Sequence, residues 1–115
     1  MQIDIRGDRI SLSDTTRGYI TRRLDFALNT KNEHIQGVQV RLGDLRGHNG
    51  LDKHCLIRVV LPHMPDVVIK EVGDDWYATI DRAADRASNT VKRRISRQLR
   101  KNRSARFLAH RTGLG

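Results

Sequence analysis

The sequence predicts an α+β fold in the order β-α-β-β-β-α, with a four-stranded sheet and two helices packed on one face of the sheet. Four short segments alternate apolar and polar residues, which is the period of a strand with one buried side. Two longer segments, after the first and the last of these, repeat apolar residues at helical spacing. A chain of 115 residues suits one such domain.

The first strand and the first helix are predicted at the N-terminus. Residues 2–6, QIDIR, alternate and place their two isoleucines on one side. The helix is expected from about residue 14 to residue 28, because Ile20 and Leu24 begin an apolar stripe at helical spacing. Ser13, just before it, offers an oxygen that can cap the first turn.

Three further strands are predicted in the middle of the chain, at 37–43, 54–61 and 66–72. The Gly-rich segment 43–52 contains an Asn-Gly pair and predicts a hairpin connection, while the two prolines of 62–66 predict a turn. The residues of the third strand that we expect to face the core are Cys55, Ile57, Val59 and Leu61. The single cysteine is therefore expected to be a buried, unreactive thiol.

The last helix is expected to begin at Asp74–Asp75, where a carboxylate can cap the first turn, and to be amphipathic. At ~100° per residue its apolar residues fall within about 120° of one another and five arginines fall on the opposite side. The apolar stripe is Tyr77, Ile80, Ala84, Ala87, Val91, Ile95 and Leu99. The arginine ridge is Arg82, Arg86, Arg93, Arg97 and Arg100, spanning ~27 Å.

The formal net charge of +9 is concentrated at the C-terminal end. Residues 86–115 hold ten Lys or Arg and no carboxylate, which leaves a net charge of −1 for residues 1–85. Such asymmetry indicates a polyanionic partner, either nucleic acid or an anionic membrane surface. A membrane-surface helix needs a free apolar side, and here the sheet covers that side, so nucleic acid is favoured. Because aromatic residues are few, we expect contacts mainly to phosphate and sugar.

Other classes of protein are disfavoured by the same sequence. No apolar run approaches the ~20 residues that a membrane span requires. The N-terminal segment MQIDIRGDR begins with charge and alternation and lacks the apolar stretch of a signal peptide. We therefore expect a cytoplasmic protein.

Several stretches resemble the ribosome hibernation factor family, which includes the hibernation-promoting factor and the ribosome-associated inhibitor of bacteria. The resemblance is strongest in DWYATID (75–81) and continues to QLRK (98–101). At the start of the chain it includes MQIDIRG (1–7), Leu12-Ser13, RGYI (17–20) and Arg23-Leu24. It covers about residues 1–103, although the last helix is about two turns longer than is usual for short members.

The resemblance implies a fold like a double-stranded-RNA-binding domain and a role in translation silencing under stress. It implies binding to small-subunit rRNA in the channel used by mRNA and the anticodon ends of tRNA, with no enzymatic activity, no cofactor and no small-molecule substrate. Carried over onto this chain, the RNA-binding residues would be Arg22, Arg23, Arg82, Arg86, Lys92, Arg93, Arg97, Arg100 and Lys101.

We predict a single ribosome-binding domain over residues 1–103, a short flexible basic tail over 104–115, and a monomer in solution. Whether the protein makes ribosomes dimerise is left open by the sequence. Two alternatives also stay open: a general RNA-binding protein, and a metal-dependent RNA-processing enzyme that uses the 43–54 loop. The side chains in that loop that could bind a metal or transfer protons are Asp44, His48, Asp52 and His54.

Overall fold

The computed structural model has the predicted order of elements and describes residues 1–44 and 52–111, with side chains to Arg103. A short 3-10 helix, Asn29–His34, is added directly after the first helix. The strands are β1 (Gln2–Asp8), β2 (Gly37–Asp44), β3 (Lys53–Val60) and β4 (Val67–Gly73), and the helices are α1 (Asp14–Leu28) and α2 (Trp76–Arg111).

The four strands form one mixed sheet in the order β1-β2-β3-β4. Strand β1 pairs with β2 in parallel, which requires a crossover connection, and α1 provides it. The other two pairings are antiparallel. Antiparallel neighbours can be joined by short connections, as the sequence predicts between these strands. One row of side chains crosses the whole sheet on its buried face: Ile5, Val40, Ile57 and Ile69.

Both helices begin at the caps that the sequence predicts. The hydroxyl oxygen of Ser13 accepts a hydrogen bond from the backbone N–H of Thr16 at 3.1 Å. At the start of α2 the carboxylate of Asp75 accepts from the backbone N–H of Ala78 at 2.8 Å. Each cap satisfies an N–H group that has no partner inside its own helix.

The core lies between the helices and one face of the sheet, as predicted. Ile20 and Leu24 of α1 are buried there together with Val91 and Ile95 of α2. The buried sheet residues include Val38, Val40, Leu42, Ile57, Val59, Val67 and Ile69. Cys55 is also buried, and burial raises the pKa of its thiol to about 12, so the expectation of an unreactive thiol is supported.

Two residues of the predicted apolar stripe of α2 are not in the core. Tyr77 is 42% exposed and Leu99 is 43% exposed, so the expectation that both pack against the sheet is wrong. Length explains Leu99: a helix of 36 residues extends ~54 Å, whereas strands of seven or eight residues extend ~26 Å. The buried stripe therefore begins at Ile80 and ends at Ile95. The Tyr77 ring instead packs edge-on against Tyr19, with centroids 4.6 Å apart.

Helix α2 continues to Arg111, past the boundary at residue 103 that we predict between the domain and the tail. The backbone of residues 104–111 is therefore helical, and the last four residues of the predicted tail lie outside the described part of the chain. Within the described part, no helix is both long enough and apolar enough to cross a membrane.

Candidate nucleic-acid interface

Three arginines of α2 lie along the free edge of strand β4 and donate hydrogen bonds to its backbone carbonyls or to those just before it. Strand β4 has a neighbour on one side only, so its outward carbonyls have no partner within the sheet. The pairs are Arg82 Nη2 with Val72 O (2.8 Å), Arg86 Nη1 with Lys70 O (3.0 Å) and Arg94 Nη1 with Asp66 O (3.1 Å).

The spacing of these arginines follows from helix and strand geometry. Four helix residues advance ~6.0 Å and two strand residues ~6.6 Å. A step of four along α2 therefore matches a step of two along β4 in the opposite direction. The step from Arg82 to Arg86 follows this rule, and Arg94 continues it two steps further on. These side chains cover an edge that would otherwise be open to pairing with another strand.

Glu71 of β4 supplies a carboxylate to the same arginines. Its Oε1 lies 2.7 Å from Arg86 Nη1 and its Oε2 lies 3.7 Å from Arg82 Nε. The Glu71 side chain is only 18% exposed, whereas about half of each arginine remains accessible. Two of the predicted RNA-binding residues thus have a carboxylate partner within the chain, and part of their charge is already balanced.

Arg23, a third predicted contact residue, lies between the two helices. Its Nε is 3.1 Å from Asp81 Oδ1 and its Nη2 is 2.5 Å from Asp85 Oδ1. Asp81 also accepts a hydrogen bond from the Tyr19 hydroxyl at 2.5 Å, and this bond raises the pKa of Tyr19 above its ordinary value of 10. The hydrogen bond to Asp85, above all, raises the pKa of Arg23. Arg23 therefore joins α1 to α2, and its side chain is 23% exposed.

The C-terminal part of α2 carries cations of a different kind. Six of them are exposed and have no carboxylate within 4 Å among the residues whose side chains are described. We call this set the free cationic strip: Lys92, Arg93, Arg97, Arg100, Lys101 and Arg103. It extends ~16 Å along the helix. Arg22 on α1 is likewise exposed, with no carboxylate of the described residues in reach.

The structure thus divides the nine predicted contact residues into two groups. Six of them present unbalanced charge: five in the free cationic strip, and Arg22 on α1. Arg23, Arg82 and Arg86 have carboxylate partners within the chain. Since a phosphate attracts an unbalanced guanidinium more strongly than a paired one, the free cationic strip is the better candidate for polyanion binding.

The contacts of Arg94 were not predicted from the sequence. The helical wheel places it on a flank, and its backbone partners belong to another element. A signal did exist, because Arg82, Arg86 and Arg94 are separated by multiples of four residues. The spacing predicts a contact with the backbone of β4 only when β4 is known to lie beside that side of the helix.

The 43–54 loop, which the enzyme alternative requires, is described only at its two ends. His48 lies outside the described residues. Lys53 Nζ is 3.1 Å from Asp44 Oδ2 and 3.5 Å from Asp52 Oδ2, and it lies 5.5 Å from the centre of the Trp76 ring. Over residues 1–44 and 52–111 no group of three or more His, Cys, Asp or Glu could hold a metal ion. Asp44 and Asp52 therefore both lie near Lys53, while His54 Nε2 lies 4.0 Å from Asp8 Oδ2.

A comparison with protein families gives one match that covers most of the chain. The model described as "Sigma 54 modulation protein / S30EA ribosomal protein" matches residues 3–105. No curated protein matches the sequence significantly.

Solved structures give two informative similarities. The N-terminal domain of Protein Y from Thermus thermophilus is 30% identical, with a TM-score of 0.66; the match covers 81% of this chain and 98% of that one. A structure described as a ribosomal subunit interface protein from Coxiella burnetii is 19% identical, with a TM-score of 0.71; the match covers 84% of this chain and 99% of that one. The latter similarity supports the fold alone.

Proposed function

This chain belongs to the Sigma 54 modulation protein / S30EA ribosomal protein family, and from this we propose that it binds the small ribosomal subunit and silences translation. The family is one of ribosome-associated proteins rather than of enzymes. The proposed binding place is the channel for mRNA and the anticodon ends of tRNA, which the sequence resemblance also implies. We propose that the protein acts in the cytoplasm as a monomer.

The observation that carries the proposal is the free cationic strip. A solvated helix gains a few tenths of a kcal/mol from each oppositely charged pair at i, i+4 and loses a similar amount from each like pair. The strip has several arginines and lysines at such spacings and no carboxylate, although other arginines of the protein, such as Arg23 and Arg86, are paired with acids. Phosphate groups of rRNA would supply the missing charge.

Arg22 on α1 extends the proposed contact to the second helix. Arg23, Arg82 and Arg86 would contribute less, because they are already held by carboxylates of the same chain. In this proposal Arg23 holds the two helices together and Arg82 and Arg86 present half-exposed charges beside β4, while the strip makes most phosphate contacts.

Ribosome co-sedimentation over a series of salt concentrations tests the proposal. The test variant changes Arg93, Arg97 and Arg100 to Gln. We expect binding to weaken and the dependence of log K on log salt to become shallower by about 0.7–0.9 for each phosphate that the variant no longer neutralises. The unaltered chain should also inhibit translation in a cell extract.

The matched control changes Arg6, Arg41 and Arg58 to Gln on the open face of the sheet, which lowers the net charge equally. This variant should bind ribosomes nearly as well as the unaltered chain. Equal weakening in both variants would mean that only net charge matters and would contradict the assignment of the strip. Binding of naked duplex RNA as tightly as ribosomes would favour the general RNA-binding alternative.

A further inference from the structure

Phe26 is a large apolar side chain that the fold does not use. It is 83% exposed, whereas no other large hydrophobic residue of the described side chains exceeds 46%. The buried residues of α1 are Ile20, Leu24 and Leu28, and Phe26 lies two positions from Leu24, on the side of the helix turned away from the core. An isolated exposed hydrophobic residue is common on protein surfaces, so its surroundings decide whether it has a role.

Those surroundings form a cleft between the two helices. Phe26, Ala27 and Lys92 line two adjoining surface depressions there. The hydroxyl of Ser88 donates to the backbone carbonyl of Ala27 at 2.8 Å, which fixes α1 against α2 at this point. Ala27 and Ser88, which meet at this crossing, are both small, and Phe26 lies beside them on the lining of both depressions.

The rim of the cleft carries charged groups of both signs and side-chain amides. Lys92, a member of the free cationic strip, stands on one helix, and Asp25 and Asn29 stand at the end of the other. Asn89 adds a second amide from α2. Asp25 has no cation within 4 Å among the described side chains. An aromatic ring with an ammonium group, a carboxylate and amides around it offers a separate partner for each part of a nucleotide.

We propose that this cleft binds one unpaired base of RNA, stacked on the ring of Phe26. Lys92 would hold the adjacent phosphate, and Asp25 or an asparagine amide would accept or donate hydrogen bonds at the base edge. The inference rests on the proposed ribosome binding and adds a base contact to the phosphate contacts of the strip. An apolar peptide is a poorer occupant, because it would leave the charged groups at the rim desolvated and unpaired.

Three substitutions of Phe26 separate stacking from apolar contact. Base–aromatic stacking predicts that Phe26→Ala weakens ribosome binding about 5- to 150-fold at fixed salt. Phe26→Leu should weaken it nearly as much, because Leu is apolar without an aromatic face, whereas Phe26→Trp should retain it. The slope of log K against log salt should stay the same in all three, since no charge changes. Lys92→Gln should instead make that slope shallower by about one, the value for a single phosphate.

The occupant is identified by ultraviolet crosslinking of the Phe26→Trp protein to ribosomes, followed by mass spectrometry. A crosslink from residue 26 to rRNA is expected, and a crosslink to a ribosomal protein would overturn the proposal. Normal binding by Phe26→Ala would also overturn it, while the proposed function would stand if the unaltered chain still binds through the strip. Failure of the unaltered chain to bind ribosomes would instead reject the proposed function itself.

Discussion

The Nη1 atom of Arg86 lies 2.7 Å from Oε1 of Glu71, and the same nitrogen donates to the carbonyl of Lys70 at 3.0 Å. One guanidinium group therefore satisfies both the edge of strand β4 and a carboxylate on it. Arg82 and Arg86 are thus held within the chain, whereas the cations of the free cationic strip have no carboxylate within 4 Å among the described side chains. The number and spacing of the arginines in the sequence do not distinguish those paired with a carboxylate from those without one.

Replacing Glu71 with Gln should strengthen polyanion binding. The substitution removes the carboxylate that balances Arg82 and Arg86, and these arginines stay near β4 through their bonds to its carbonyls. Exposed ion pairs are worth about 0.2–1 kcal/mol, so ribosome affinity should rise about 1.5- to 5-fold at low salt, with a decrease in unfolding free energy of similar size. Filter binding and urea denaturation measure the two effects.

Glu33→Gln is the control for this prediction. Glu33 is also a carboxylate, its side chain is 78% exposed, and no lysine or arginine of the described residues lies within 4 Å of it. The variant has the same net charge as Glu71→Gln but leaves the arginines paired. If both variants gained affinity equally, the pairing with Glu71 would be irrelevant to binding.

The second prediction concerns the hydrogen bond between Tyr19 and Asp81. This bond raises the pKa of Tyr19 in the folded protein, chiefly because it favours the protonated phenol. Below pH ~10 the phenol is protonated in both the folded and the unfolded chain, so its contribution to stability is complete. As the pH rises from 10 through the raised pKa, only the unfolded chain releases the proton, and stability falls.

Tyr19→Phe tests this sign. At pH 8 the unfolding free energy of the variant, measured by urea denaturation, should be about 1 kcal/mol lower than that of the unaltered chain. The reason is that one hydrogen bond to a charged and partly exposed acceptor is removed. The difference should shrink above pH 10. Other groups that titrate there, such as Lys53, cancel in the comparison. A difference that stays constant or grows up to pH 11 would mean that the bond does not depend on the phenol proton.

The fold was largely predictable because each of its elements has a local signal. The alternation in β2 and β3 predicts both their limits, to within one residue, and their buried sides. Ser13 and Asp75 predict where both helices begin. These signals arise from neighbours along the chain, which a single sequence displays directly.

The site was predictable only in part, because pairing between elements decides which charges are free. The wheel gives Arg86 and Arg93 nearly the same direction, yet one meets Glu71 on the edge strand and the other has no carboxylate near it among the described side chains. Leu99 was misplaced for a related reason: periodicity extends an apolar stripe without reporting where the sheet ends. Which charges are paired and where the sheet ends both depend on contacts between elements, and periodicity along the chain does not report these contacts.

The third prediction tests whether the sheet supports α2 only as far as Ile95. Ile95 is 1% exposed and Leu99, one turn later, is 43% exposed. Ile95→Ala should therefore cost about 2–5 kcal/mol of unfolding free energy, since it opens a cavity in the core. Leu99→Ala should cost less than about 1 kcal/mol, because the side chain is already in contact with water. Urea denaturation of the two variants gives both values. Similar decreases in both would show that the helix is supported beyond Ile95, and the cations from Arg97 onward would then belong to the packed body of the protein rather than to a projecting helix end.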